Sequence, residues 1–152
     1  MSEVFITIFS AMIPIGELRF AIPFALSNFD LDWPVVLFCA VLGNILPVPV
    51  IIFSLKIVGN RIEHMDNYLG KLFRWRTNKL LTKLSTHQKY PLLGIFLLVA
   101  VPLPFTGAWT GSLAVWLSGV SYTRGIASIT LGVITAGLIV TALYLTGSKF
   151  LF

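Results

Sequence analysis

Pro14-Ile15-Gly16-Glu17-Leu18-Arg19-Phe20-Ala21-Ile22-Pro23 places a carboxylate and a guanidinium two residues apart inside an apolar segment. No charge precedes the pair back to Glu3, and none follows before Asp30. An ionised side chain at the centre of a bilayer costs a few kcal/mol or more, so such residues face partners, water or a substrate pathway. Two prolines and a glycine around the pair also forbid one smooth helix. Broken backbone at membrane depth persists only where protein or an aqueous cavity shields it. The stretch therefore predicts an interrupted membrane segment with a polar site at the interruption.

The rest of the chain agrees with a bilayer setting. Of its 152 residues 57% are hydrophobic and 11% charged, more apolar surface than a soluble domain of that length can bury. Asp32 is the only charge from Leu31 to Leu55, and Tyr90–Thr123 and Gly125–Ser148 carry none. Since about 20 apolar residues span the hydrocarbon core, these runs read as membrane helices of a multi-pass protein. The N-terminus lacks a basic region and a small-residue cleavage site, and reads as part of the mature fold. Cys39, the single cysteine, reads as a packing residue. It offers no disulfide framework, and His64 and His87 lie far apart in sequence without other ligand types, so neither a metal site nor a cofactor is expected. No nucleophile elbow, phosphate loop or metalloprotease signature is present, which argues against an enzyme.

Charge sets the expected orientation. Lys56, Arg61, Lys71, Arg74, Arg76, Lys79, Lys83 and Lys89 lie in the central connection or at its edges, against only Glu63 and Asp66. A Lys/Arg excess in a short loop marks the cytoplasmic side, which puts Asp30 and Asp32 on the outer face. The same charge suits anionic lipid headgroups better than nucleic acid. Apolar Ile62, Met65, Leu69, Leu72, Phe73, Leu80 and Leu84 recur with several helical gaps. They fit either an amphipathic interfacial helix or a solvated helical linker, with Gly70 as an interruption.

Four apolar stretches follow: Val4–Phe29, Trp33–Val58, Pro91–Ser118 and Thr123–Gly147. The third resembles the first in being broken, by Pro102, Pro104, Gly107 and Gly111. The second and fourth read as ordinary spans, the second kinked by Pro47 and Pro49. The order broken, whole, basic loop, broken, whole is a duplication. A shift of 89 residues aligns Leu42-Gly43 with Leu131-Gly132, Ala25 with Ala114, and Trp33 with Tyr122. One membrane domain over 1–152 results, with repeat 1 about 1–58, a cytoplasmic connection about 59–90 and repeat 2 about 91–152. If each broken stretch crosses fully, there are four spans in parallel repeats. If each dips in and returns, with first-hairpin legs near Val4–Ile13 and Phe20–Asn28, the halves are inverted. Such legs are too short to span at about 1.5 Å per residue, and polar Glu17, Arg19, Thr106 and Thr110 beside the prolines favour them. The expected fold is an all-α integral membrane protein of two inverted repeats, each a Pro/Gly-broken re-entrant helical hairpin followed by a transmembrane helix.

Gly16-Glu17-Leu18-Arg19-x-Ala21-Ile22-Pro23, taken with Pro102-Leu103-Pro104-Phe105-Thr106-Gly107-Ala108-Trp109-Thr110-Gly111, resembles the small multidrug export protein family. That family is more remotely similar to the DedA/VTT superfamily. The resemblance implies paired inverted hairpins, and a link to transbilayer movement of lipids, including polyprenyl-phosphate carriers, with proton coupling. It matches Glu17 to the acidic residue of the first DedA hairpin and Arg124 to a DedA arginine. Thr106 and Trp109 stand where DedA proteins carry an arginine motif.

Paired interrupted segments in corresponding halves point to a transporter's binding site. The candidate site residues are Glu17, Arg19, Pro23, Asn44, Pro102, Pro104, Thr106, Gly107, Trp109, Thr110 and Arg124. Glu17 reads as a proton-coupling carboxylate, or as a static partner of Arg19 or of backbone donors at the break. Arg19 offers a planar fork for phosphate or carboxylate, or pairs with Glu17. A half-helix after Pro104 would turn positive dipole character to an anion, with hydroxyls from Thr106, Thr110 and Ser112. Gly107, Gly111 and Ser112 equally suit close helix packing. Trp109 and Trp116 read as packing or interfacial residues. Asn44 is expected to satisfy a carbonyl freed by Pro47 or to line the cavity, and Tyr122 and Arg124 to anchor a helix at the interface. The expected function is a small homo-oligomeric transporter of a lipid-like or amphiphilic substrate, proton-coupled through Glu17. Export of small hydrophobic cations, or a non-transporting membrane-shaping role, are the alternatives.

Overall fold

The computed structural model describes residues 1–14, 17–63, 90–102 and 106–151. In chain order these form helices α1 (Ser2–Met12), α2 (Glu17–Asn28), α3 (Trp33–Ile45), α4 (Pro47–Glu63), α5 (Pro91–Ala100), α6 (Ala108–Ser118) and α7 (Tyr122–Leu151). Among the described residues there is no strand. Two apolar helical rods, Trp33–Val58 and Tyr122–Gly147, each run 26 residues, about 39 Å at 1.5 Å per residue and long enough to cross a bilayer. α1, α2, α5 and α6 have 10 to 12 residues each, about half that length.

Local chemistry explains these boundaries. α1 and α5 both stop at the residue before a proline, and Ile13 (φ −70, ψ 135) and Val101 (φ −77, ψ 119) are extended. Proline's Cδ disfavours helical geometry in its predecessor. Pro34 and Pro91 occupy the opening turns of α3 and α5, where no N–H is needed. Gly119 ends α6 at φ 65, the left-handed turn that glycine takes without strain. Between α3 and α4, Leu46 stays helical at φ −50, ψ −45, so Pro47 and Pro49 bend this rod without ending it. α2 starts at Glu17, earlier than the expected Phe20, and contains Pro23 in its interior. Proline there leaves the Arg19 carbonyl without its helical donor.

Packing repeats between the halves. α1 lies against α2 and α3, and α5 lies against α6 and α7; α2 also reaches α7, while α6 reaches α4. Two glycines make the main approaches possible. A Cβ on Gly43 would run into the Ile8 carbonyl oxygen of α1. One on Gly132 would meet the Phe96 carbonyl of α5 at 3.0 Å and Val99 Cβ at 2.8 Å. These are the two glycines that the 89-residue shift superimposes.

Leu18, Ile22, Val36, Val99, Val115, Ile129 and Val133 form the core with the small residues Ala11, Ala21, Ala25, Ala40, Ala108 and Ala136. Phe5, Phe9, Phe20, Phe38, Phe53, Leu131 and Leu143 point outward and are more than half exposed, an apolar surface suited to hydrocarbon and not to water. That surface accompanies two helices long and apolar enough to cross a membrane. One end of the molecule is fixed by the Ser27 and Tyr144 hydroxyls, 2.9 Å apart, which join the end of α2 to α7. The opposite end is fixed by Lys56 Nζ, 5.7 Å from the centroid of the Tyr122 ring, which joins α4 to the head of α7. Residues 64–89, with His64, His87 and most of the amphipathic pattern, lie outside the described residues.

Candidate functional site

The helix ends that flank the two breaks meet in the interior and complete one another. The first amides of a helix have no intrahelical acceptor and must find another partner. At the start of α6, the Ala108 N–H donates to Glu17 Oε2 at 3.2 Å and the Trp109 N–H donates to Glu17 Oε1 at 3.3 Å. The carboxylate, only 7% exposed, thus sits on the positive end of the α6 dipole. Glu17 is itself at φ 51, and it fits there because Gly107 gives way. A Cβ on Gly107 would run into the Glu17 carboxylate. The backbone of Gly107 is extended at φ 171, so space, and not conformation, demands glycine.

Arg19 serves the opposite kind of end. Its Nη2 donates to the Val101 carbonyl at 3.2 Å, to Thr106 Oγ1 at 3.1 Å and, at the limit of hydrogen bonding, to the Val99 carbonyl at 3.5 Å. Those carbonyls close α5, where the dipole is negative. The Thr106 hydroxyl donates to the Val101 carbonyl at 3.1 Å. In the reverse direction, Trp109 Nε1–H donates to the Met12 carbonyl at the end of α1, at 3.2 Å. Met12 and Val101 are superimposed by the same 89-residue shift. Each half therefore caps the other: the anion goes to a helix start, and the cation and the indole go to helix ends. The chemistry of a broken backbone in a low-dielectric interior requires such partners.

Asn44 reaches this cluster from α3. It is 1% exposed, and its amide lies beside the Glu17 carboxylate without completing a hydrogen bond. Neither Nδ2 nor Oδ1 has a hydrogen-bond partner. The expected bond to a carbonyl freed by Pro47 is not made, because the side chain turns towards α2. Below Arg19 an open groove of about 370 Å³ runs along α7, lined by Arg19, Pro23, Pro102, Val140, Leu143 and Tyr144. Apart from Arg19 and the Tyr144 hydroxyl its walls are apolar.

The fold thus brings together Glu17, Arg19, Asn44, Thr106, Gly107 and Trp109, with Pro23 and Pro102 on the groove. Thr110 is half-buried in the opening turn of α6. Pro104 lies outside the described residues. Arg124 does not join the cluster. It is exposed near the head of α7, which follows the far end of α6, roughly 16 Å of helix away from Glu17. Val140, Leu143 and Tyr144 belong to the groove but carry no polar signal in an apolar run beyond one hydroxyl. Ser112 turns inward on its own helix, its hydroxyl donating to the Ala108 carbonyl at 2.7 Å. Among the described residues no three His, Cys, Asp or Glu side chains gather as metal ligands.

A family model described as "Putative small multi-drug export protein" matches residues 17–139. The match begins at Glu17, just after the first break, and takes in the second. No curated protein and no solved structure matches the chain.

Proposed function

Because the chain belongs to the small multi-drug export protein family, we propose that it is a multi-pass transporter moving an amphiphilic substrate, anionic at one end, across the cell membrane. The observation that carries this reading is the groove: an arginine at its head and apolar walls along α7. A phosphate or carboxylate would compete for Arg19 with the α5 carbonyls and Thr106, and a hydrocarbon tail would lie along Pro23, Val140 and Leu143. Arg19's planar fork suits such an anion.

The transport cycle follows from the capping. Ionised Glu17 complements the α6 dipole and two backbone donors, and so holds the breaks together. A proton on Glu17 cancels that charge and weakens the hold. The Ala108 and Trp109 amides then turn to the substrate's anionic group, and loss of the proton restores the cap and releases it. In this reading each short helix pair is a re-entrant hairpin reaching the midplane, and the two halves are inverted. The Lys56–Tyr122 and Ser27–Tyr144 contacts support it, since they put the α6–α7 link and the end of α2 at opposite ends of α7. The basic connection beyond Lys56 is then cytoplasmic. So short a chain encloses little of a path, and a homodimer or larger assembly completes it.

Export of small hydrophobic cations is the second reading, favoured by the family's description and by Glu17 as counter-charge. Vesicle reconstitution tests both. Wild type is expected to move a phosphate-bearing lipid faster under a pH gradient, and Glu17→Gln to lose the gradient dependence. Equal transport by the variant would sink Glu17 as the coupling group. Uptake of a cationic dye without lipid movement would favour the second reading, and no transport of any kind a membrane-shaping role.

A further inference from the structure

Among the described residues, Asn44 has both polar side-chain atoms buried without a hydrogen-bond partner, and a buried amide left so costs stability unless another state uses it. Its place decides which state. The Glu17 oxygens accept from Ala108 and Trp109 N–H groups at 3.2 and 3.3 Å, an arrangement made for an acceptor-only carboxylate. A protonated carboxyl has an O–H to give and needs an acceptor. Among the described residues, the groups that bear on Glu17 are the Ala108 and Trp109 amides from α6, the charge of Arg19 on its own helix, and Asn44 from α3. The first three offer only donors. Asn44 Oδ1 is the acceptor within this set.

Building on the proton exchange proposed for Glu17, we propose that Asn44 is its positioning residue, a two-state partner that turns with the proton. With Glu17 ionised, the Asn44 Nδ2–H faces the carboxylate. When Glu17 takes a proton, the amide rotates about Cβ–Cγ and Oδ1 accepts the new O–H. No bond other than the proton's changes, and the same side chain serves both states because an amide carries a donor and an acceptor on one planar group. The pairing keeps neutral Glu17 at the break while its hold on α6 weakens.

The test uses the full chain in vesicles and infrared difference spectra recorded across a pH step. The carboxyl band lost in Glu17→Gln belongs to Glu17. Asn44→Thr and Asn44→Val differ by a hydroxyl against a methyl, so their folding burden is matched. Asn44→Thr is expected to keep the band at a hydrogen-bonded frequency, and Asn44→Val to shift it upward towards that of a free carboxyl and to move the pH at which it appears. In the unsubstituted protein an asparagine side-chain amide band should change in the same step and fall silent in Glu17→Gln; this needs no Asn44 variant to fold. A Glu17 band identical in the Thr and Val variants, or an unmoving amide band, overturns the role of Asn44 alone. Absence of any Glu17 carboxyl band across the pH range overturns that role together with the proton exchange it rests on.

Discussion

Glu17 holds a left-handed backbone conformation at φ 51, which costs a residue with a Cβ about 1–2 kcal/mol. Two charge-assisted bonds to the α6 amides offset that cost, and the missing Cβ of Gly107 makes room for them. The pair should therefore behave as one unit. Gly107→Ala is expected to lower stability by about 1–3 kcal/mol, since the collision resembles overpacking. Glu17→Ala is expected to lose about 1–2 kcal/mol as a lost cap. The double variant should cost less than their sum, because the Cβ then enters vacated space, with a coupling of about 0.5–3 kcal/mol for contacting residues. Thermal unfolding of the four proteins in detergent checks this, and strict additivity would contradict it. The charges were legible from sequence because an ion in an apolar run is conspicuous. Their partners were not, since Ala108 and Val101 take part through backbone atoms that every residue owns. Asn44 was legible as a buried amide, but the direction it turns depends on tertiary packing.

At the level of elements, corresponding helices of the two halves make corresponding contacts. Gly43 and Gly132 do the same work, letting a short helix press its carbonyls against a long one. Gly43→Ala and Gly132→Ala should each destabilise by about 1–3 kcal/mol despite alanine's better helix propensity, because a backbone carbonyl cannot step aside. Their effects should add, since the contacts lie in different halves. Melting curves of the single and double variants are the measurement, and stabilisation by either change would refute the close approach. The breaks could be read in advance because proline acts on the backbone directly. Pro23 lies within the leg expected at Phe20–Asn28, and α2 runs through it. A membrane helix can keep an interior proline when neighbouring groups serve the carbonyl it frees.

For the whole molecule, the distinction between inverted hairpins and four full spans rests on where two links lie. With inverted hairpins the link at 29–32 and the link at 119–121 occupy opposite faces; with four spans they share one. In a Cys39→Ala background, Asp30→Cys is expected to label from outside intact cells and Val120→Cys only after permeabilisation. Labelling of both from outside would establish the four-span arrangement. Composition announced apolar, membrane-length segments, and short helices of 10 to 12 residues beside apolar rods of 26 followed from the spacing of proline and glycine. The orientation of one half against the other did not, because it depends on contacts such as Lys56 with Tyr122 that join residues far apart in the chain.

The reciprocal capping also bears on how the protein is made. The Met12 carbonyl waits for an indole 97 residues later in the chain, and ribosomes add roughly 5–20 residues per second. For about 5–20 seconds the first half exists with an open helix end and a charged pair that lipid cannot solvate. Neither half is a finished membrane insert by itself, so the nascent chain must be sheltered by the insertion machinery until both breaks have been synthesised, and release into the bilayer comes as one late event.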